Sequence, residues 1–345
     1  MTGRMIATQT MLSSFRSCRR ACEWRYVHQL VPLEENAVLH FGSVIHRALE
    51  VWHRDRHLDR ALAVIDAAYV NRAADASERA DWSNARAMMR GYAARYPTEE
   101  FEVICLEKVF EGPIVNPATG AHSRKLAFAG RIDGIVRLER KYFVLETKTT
   151  ARIDEAYLEG LWISHQPVYY SIFAREVLGI PVVGILWNVL EKARLQQGRG
   201  ETDEEFARRR ADLAAKNKSG TTRASKWLPE SDESFQARLA EKYANPAMYH
   251  RLPILLDMDR VDEVKRELWE LTQAFNDARR RSAFYQNPAF CFHHGRPCAY
   301  LPLCRSGGNP ALIENAYRRV EPHEELRERP AEQAPPVEPG AVPAF

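Results

Sequence analysis

The chain has 345 residues, of which 45% are hydrophobic and 28% are charged, and its formal net charge is +3. This length suits one large domain or two ordinary ones, and the composition is typical of a globular protein with a buried core. The weak net charge does not by itself indicate a polyanionic partner, and no apolar run approaches the roughly 20 residues that a membrane span needs. We therefore expect a cytoplasmic protein without a signal peptide or a membrane segment.

The N-terminal part of the chain carries helical patterns. Segment 11–30 has Ser13 and Ser14 placed to cap the N-terminus of a single helix, and segment 38–55 shows an apolar stripe at helical spacing. Residues 59–96 are helical in pattern throughout, up to a Tyr–Pro step that disfavours helix.

The spacing of the apolar residues then changes to that of strands. Segments 101–112, 125–138 and 141–150 predict three strands, and the charged turn LERK joins the last two as a hairpin. Segment 165–180 predicts a helix, and the mostly apolar segment 181–190 predicts a strand that is buried on both faces. The order helix, three strands, helix, strand predicts a mixed α/β fold in which one strand returns through a helical crossover.

The rest of the chain adds elements around that core. Residues 191–250 are charged and weakly periodic, and we interpret them as an insertion with helices at 201–216 and 231–243. A strand at 249–259 and a strongly amphipathic helix at 261–281 follow. We therefore divide the chain into five parts: an N-terminal helical segment (1–40), a core (41–190), a charged insertion (191–250), a C-terminal helix with a cysteine lobe (251–308), and a disordered Pro- and Glu-rich tail (309–345).

Charged residues interrupt the central hairpin. Asp133 lies in its first strand, and Glu146 and Lys148 lie in its second, where side chains two residues apart share a face. Two converging carboxylates suit a hard divalent cation such as Mg²⁺, which polarises a phosphodiester and generates hydroxide from its bound water. A nearby lysine stabilises the developing charge. Taken alone, the Glu-x-Lys step fits a surface salt bridge on an edge strand equally well.

The strings GRIDGIV and YFVLETKTT resemble the Asp…Glu-x-Lys motif of the PD-(D/E)XK nuclease superfamily, and specifically its RecB-like exonuclease branch. The resemblance implies a restriction-endonuclease-like core in which Asp133 and Glu146 hold Mg²⁺ or Mn²⁺ and Lys148 assists the attacking water. The string FGSVIHRALE resembles the Gly-x-x-x-His helix of that branch, which implies that His46 is a further metal ligand.

Two shorter strings extend the resemblance. LEKVF resembles the acidic first strand of the family, which implies that Glu107 is an accessory acid, and HQPVYY resembles its Gln-x-x-x-Tyr motif. Gln166 and Tyr170 lie four residues apart on one helix face, and the resemblance makes them phosphate or metal-water contacts. Outside this context, a single His on an amphipathic helix or a Tyr on an apolar helix face is more often a packing residue.

Three cysteines cluster near the C-terminus in the spacing Cys291-x6-Cys298-x5-Cys304. Cysteines of a cytoplasmic chain are expected to be reduced, and thiolates suit zinc or an iron–sulfur cluster. A fourth ligand is needed, and Cys18 and Cys22 are the N-terminal candidates.

The cysteine pattern resembles that of the iron–sulfur members of the RecB-like branch, which include helicase-linked nucleases and CRISPR-associated adaptation exonucleases. The resemblance implies that Cys18, Cys291, Cys298 and Cys304 hold a [4Fe–4S] cluster, because the string around Cys18 fits the aromatic-x-x-Cys pattern of the branch, although Arg19 stands where a proline is usual. Zinc is the alternative, with His293 or His294 as a ligand. We expect Cys105, which lies in a strand, to be buried and unligated.

These features favour a metal-dependent DNA exonuclease that acts on single strands or duplex ends. Basic clusters and the aromatic residues Trp24, Trp227 and Tyr243 are candidates to contact phosphates and stack on bases. A catalytically weak DNA-binding or assembly subunit and a restriction-type endonuclease are the alternatives. The chain has no Gly-Lys-Ser/Thr phosphate loop, so a helicase or a recombination or adaptation partner would be a separate protein.

Overall fold

The computed structural model describes residues 4–34, 36–70, 75–293 and 295–326. The chain begins with β1 (Met5–Ala7), α1 (Gln9–Ser17), α2 (Arg19–Cys22), a π-helical turn (Glu23–Val27) and β2 (Leu30–Pro32). The prediction of one helix over 11–30 is wrong, because Cys18 is extended, with φ at −156°, and separates α1 from α2.

The next three helices pack against one another: α3 (Ala37–Asp55), α4 (Leu58–Tyr69) and α5 (Ala76–Arg95). The uninterrupted helix predicted over 59–96 is instead two helices, although residues 71–74 of that range lie outside the described residues. A new helix starts at Ala76 because the Asp75 carboxylate accepts hydrogen bonds from the Ser77 and Glu78 amides, as an N-cap does.

The core contains β3 (Glu102–Val115), β4 (His122–Leu138), β5 (Lys141–Thr150), α6 (Glu155–Trp162), α7 (His165–Glu176) and β6 (Val182–Glu191). The hairpin between β4 and β5 is present as predicted, with Leu138 paired to Lys141. Its two turn residues, Glu139 and Arg140, both have positive φ values of 47° and 66°, the conformation that a two-residue hairpin turn requires.

The insertion and the C-terminal lobe supply the remaining elements. The insertion carries α8 (Asp203–Lys216) and α9 (Asp232–Tyr243), and β7 (Tyr249–Leu255) and the long α10 (Met258–Arg281) follow it. The C-terminal lobe consists of short elements: β8 (Phe292–His293), β9 (Arg296–Pro297), α11 (Leu301–Ser306), α12 (Pro310–Ala316) and β10 (Tyr317–Arg319).

The lobe is tied to the beginning of the chain, since β10 pairs antiparallel with β2, and Tyr317 lies opposite Pro32. The prediction that residues 309–345 form a disordered tail is therefore wrong for the first part of this range, which contains α12 and β10. The part of that prediction beyond residue 326 lies outside the described residues.

The central sheet is mixed. Strands β1 and β3 both pair with β4, the first parallel and the second antiparallel, and the order then continues as β5, β6 and β7. Strands β5 and β6 are parallel and are linked through α6 and α7, whereas β7 is antiparallel to β6. One apolar cluster lies with α7 and α10 and contains Phe128, Phe173 and Trp187; a second lies with α3, α4 and α5. No helix among the described residues is long and apolar enough to cross a membrane.

Candidate active site

Asp133 is held by two neighbours. Its Oδ2 accepts a hydrogen bond from the peptide N–H of Thr147 at 2.9 Å, and it lies 3.3 Å from Nδ1 of His46. Strand β4 carries Asp133, β5 carries Thr147 and α3 carries His46. The structure therefore brings the predicted histidine from the helical region to the predicted aspartate of the hairpin.

Glu146 and Lys148 lie on the same face of β5, as alternation predicts. Lys148 Nζ donates to Glu146 Oε1 at 2.6 Å and to Gln166 Oε1 at 3.1 Å, and Gln166 Nε2 donates to the Tyr170 hydroxyl at 3.3 Å. Four of the predicted residues thus form one hydrogen-bonded row from β5 to α7. Glu146 and Lys148 do form a salt bridge, but its carboxylate is buried: the Glu146 side chain is 0% exposed and the Lys148 side chain 32% exposed.

Burial and mutual charge shift the ionisation of these groups. Burial raises the pKa of Glu146 to about 7, and the Asp133 carboxylate adds to that rise while Lys148 opposes it. Burial disfavours the charged form of Lys148, yet Glu146 and Asp133 hold its pKa above the ordinary value. Burial likewise disfavours ionised Asp133, but His46 and Lys148 hold its pKa below the ordinary value.

The donor set fits a hard divalent cation. Glu146 Oε2 is buried and, within the part of the chain that the structure describes, has no hydrogen-bond partner, so one carboxylate oxygen is available to a ligand. Carboxylate oxygens with water are the ligands that Mg²⁺ and Mn²⁺ accept. Among the described residues, no three His, Cys, Asp or Glu side chains are already arranged around one point, so protein ligands alone do not complete a coordination shell.

Glu107 lies beside this group in a strained backbone conformation. The β3–β4 register pairs Leu106 with Gly134 and Lys108 with Ile132, which places Glu107 opposite Asp133, and its φ is 48°. Burial raises its pKa to about 7, with Asp133 and Glu50 contributing. Glu50 was not among the predicted site residues, although it lies one helical turn after His46 on α3, a spacing that could have indicated it.

The predicted cysteine ligands lie in one part of the structure, although among the described residues no three of them are arranged around one point. Burial raises the pKa of Cys298, and the thiols of Cys18, Cys304 and Cys291 add to that rise. The Cys298 amide donates to the Cys291 carbonyl at 2.8 Å, and the Cys291 thiol donates to the Asn287 carbonyl at 3.9 Å. Cys18 Sγ accepts a hydrogen bond from the Asn287 amide at 3.4 Å, the type of bond that a metal-bound thiolate receives.

The two other cysteines lie elsewhere. Cys22 is 0% exposed in the core that surrounds α1, where its thiol donates to the Met11 carbonyl at 3.6 Å and burial raises its pKa to about 12. Cys105 lies in β3 and is half-buried. The His294 backbone and the His293 and His294 side chains lie outside the described residues.

The proposed base-stacking residues separate into two kinds. Trp24 and Tyr243 are 9% and 1% exposed and are core residues, so their prediction as surface contacts is wrong. Trp227 is 61% exposed, and the Arg209 guanidinium lies 4.2 Å from its ring centroid. Trp162 was not among the predicted stacking residues, but it is 55% exposed and ends α6 shortly before Gln166.

A mixed α/β fold that brings two carboxylates and a lysine to its central hairpin defines a protein with a candidate divalent-cation site. A model of the PD-(D/E)XK nuclease superfamily matches residues 7–305, so the chain belongs to that superfamily. Its members are generally nucleases that use Mg²⁺ or Mn²⁺, and the fold is consistent with their restriction-endonuclease-like architecture. No curated protein matches the chain significantly.

Proposed function

We propose that the protein is a metal-dependent DNA exonuclease of the RecB-like branch that hydrolyses phosphodiester bonds at single strands or duplex ends. The observation that carries this proposal is the convergence of His46, Asp133, Glu146 and Lys148 on one end of the β4–β5 hairpin. A surface ion pair would not explain why Oε2 of Glu146 is buried and, among the described residues, has no hydrogen-bond partner.

Each residue then has a distinct task. Asp133, Glu146 and His46 would hold Mg²⁺ or Mn²⁺, and this cation would polarise the phosphodiester and lower the pKa of a bound water. Lys148 places a positive charge where the pentavalent phosphate gains negative charge. Gln166 fixes the Lys148 amine through their 3.1 Å hydrogen bond, and Tyr170 contacts Gln166 from the next turn of α7. Glu107 is the accessory acid.

We further propose that Cys18, Cys291, Cys298 and Cys304 hold a [4Fe–4S] cluster, with zinc as the alternative. Asn287 supports the set, because its amide donates to Cys18 Sγ at 3.4 Å and its carbonyl accepts from the Cys291 thiol at 3.9 Å, and the Cys298 amide donates to the Cys291 carbonyl. Cys22 is not included because its thiol packs in the core. The cluster would fasten the break between α1 and α2 to the C-terminal lobe.

The test of activity compares labelled linear single strands, linear duplexes and circular single strands, each with Mg²⁺, Mn²⁺ or EDTA. An exonuclease shortens the linear substrates progressively and leaves the circle intact. Asp133→Asn and Glu146→Gln are the matched inactive variants, because they keep side-chain size and remove the charge. Rapid cleavage of the circle would show an endonuclease, and undiminished cleavage by both variants would overturn the site.

A further inference from the structure

A chain of buried hydrogen bonds reaches the hairpin from the side of the sheet that faces α5. Arg251 of β7 donates from Nη2 to the Tyr92 hydroxyl at 2.7 Å, and that hydroxyl donates to Oδ1 of Asn188 at 3.2 Å. Asn188 donates from Nδ2 to Oγ1 of Thr147 at 3.4 Å. Tyr92, Asn188 and Thr147 are 0%, 1% and 3% exposed, so water does not substitute for these bonds.

Thr147 connects this chain to the proposed site. It lies between Glu146 and Lys148, so its side chain points to the opposite face of β5 from theirs. Its peptide N–H donates to Oδ2 of Asp133 at 2.9 Å. A displacement of Thr147 would therefore move both neighbours and lengthen the bond that orients Asp133.

The far end of the chain is also fixed by half-buried charges. Arg251 Nη1 donates to Oε2 of Glu99 at 2.5 Å, and Oε1 of Glu99 lies 2.7 Å from Nη1 of Arg56 and 3.3 Å from Nδ1 of His53. His53 lies two helical turns after His46 on α3. The network thus joins the strand that follows the insertion to the helix that carries the proposed histidine ligand.

Such a network is not needed for stability alone. Burial removes the hydrogen bonds of polar groups to water, and the bonds within the protein only compensate for that loss. Apolar side chains of similar volume often stabilise a protein as much. The bonds from Tyr92 to Asn188 and from Asn188 to Thr147 restrict the orientation of the groups that they join.

We propose that Asn188 is a positioning residue for the metal site: it holds Thr147, which in turn orients Asp133, and Tyr92 and Arg251 hold Asn188. This inference rests on the proposed function. Asn188 touches neither metal nor DNA in this role, so its removal should weaken metal binding and turnover and leave DNA affinity unchanged.

The test uses Asn188→Leu and Thr147→Val, which remove one partner each and nearly keep side-chain volume. Thr147→Ser keeps the hydroxyl and is the rescue variant. Thr272→Val is the matched control, because Thr272 is also a fully buried threonine, but its hydroxyl donates to the Leu268 carbonyl within α10. Mn²⁺ binding is titrated by electron paramagnetic resonance in the full-length protein, and DNA affinity and cleavage rate are measured alongside.

We expect Asn188→Leu and Thr147→Val to weaken Mn²⁺ binding about tenfold or more, as loss of a group that orients a metal ligand does. Thr147→Ser and Thr272→Val should bind Mn²⁺ like the wild type, and DNA affinity should be unchanged in all four. Wild-type Mn²⁺ affinity in Thr147→Val would overturn the proposal, even if Asn188→Leu fails to fold. If the wild type binds Mn²⁺ but cleaves no DNA, the proposed function fails and the titration still decides the positioning role.

Discussion

Lys148 Nζ lies 2.6 Å from Oε1 of Glu146, so the two charged side chains of the Glu-x-Lys step form a direct pair inside the site. The amine and a proposed metal ligand therefore share one hydrogen bond, and a change in either affects both. Removal of one partner from a buried pair leaves the other without compensation.

Lys148→Met should reduce DNA cleavage by about a hundredfold or more, because it removes a charge placed at the developing negative charge of the transition state. Single-turnover cleavage rates at saturating Mg²⁺ measure the effect. Lys141→Met is the control, since Lys141 begins the same strand and is exposed. A rate within a few-fold of the wild type would mean that the lysine only pairs with Glu146.

The metal-free protein should become less stable as the pH rises from about 5 to 7. Burial raises the pKa of Glu146 to about 7, above its ordinary value of 4.5, so the folded state binds a proton that the unfolded state has already released. Stability from this group is therefore fully present at low pH and is lost as the pH rises through the folded pKa. The loss is of the order of 1–3 kcal/mol, since each unit of pKa difference is worth about 1.4 kcal/mol.

Thermal unfolding in EDTA across this pH range checks that expectation. Glu146→Gln should reduce the decline and leave the part that Glu107 contributes, since burial also raises the pKa of Glu107 to about 7. Glu139→Gln, on the exposed hairpin turn, should leave the decline unchanged. Equal slopes for Glu146→Gln and the wild type would assign the pH dependence to other groups.

Much of the proposed site could be predicted because it depends on local sequence. The hairpin turn fixes the β4–β5 pairing, and strand alternation then puts Glu146 and Lys148 on one face. The bond from the Thr147 amide to Asp133 could not be predicted. It depends on how β4 and β5 separate past Gly134, which is the paired β4 residue farthest from the hairpin turn.

Non-local packing explains the remaining differences. Segment 310–319 looks disordered by composition, yet its strand has a partner in β2, almost the whole chain away. Helix α6 was missed because only Leu161 of its residues is buried, so it lacks a long apolar stripe. The Asp154 side chain accepts from the Tyr157 amide and is the sequence signal that could have marked its start.

Glu107→Gly should stabilise the fold slightly while it lowers activity. Glu107 has a φ of 48°, where a residue other than glycine is strained by about 1 kcal/mol, and glycine removes that strain. If Glu107 is an accessory acid, cleavage slows although the protein unfolds at a higher or equal temperature. Wild-type cleavage by Glu107→Gly would show that the carboxylate has no role in the reaction.

Cys298→Ser should lose the bound iron, because Cys298 is one of the four proposed ligands and its amide donates to the carbonyl of another, Cys291, at 2.8 Å. Anaerobically purified wild type is expected to be brown, with absorption that dithionite bleaches. Cys22→Ser and Cys105→Ser should keep both colour and iron, although Cys22→Ser should lower thermal stability because the thiol is buried in the core. Colourless protein with stoichiometric zinc would support the alternative metal.

Trp227→Ala should weaken binding of single-stranded DNA by roughly 5- to 150-fold, since stacking of one base on an aromatic ring is worth about 1–3 kcal/mol. The ring is 61% exposed and is supported by the Arg209 guanidinium 4.2 Å from its centroid, so a base can approach its outer surface. Trp227→Phe should retain most of the affinity. Leu228→Ala is the control, because Leu228 is the adjacent residue and is 77% exposed but has no aromatic ring. Fluorescence anisotropy with a labelled oligothymidine in EDTA measures binding without cleavage. Equal losses of affinity for Trp227→Ala and Leu228→Ala would show that the contact with DNA is apolar and involves no base stacking.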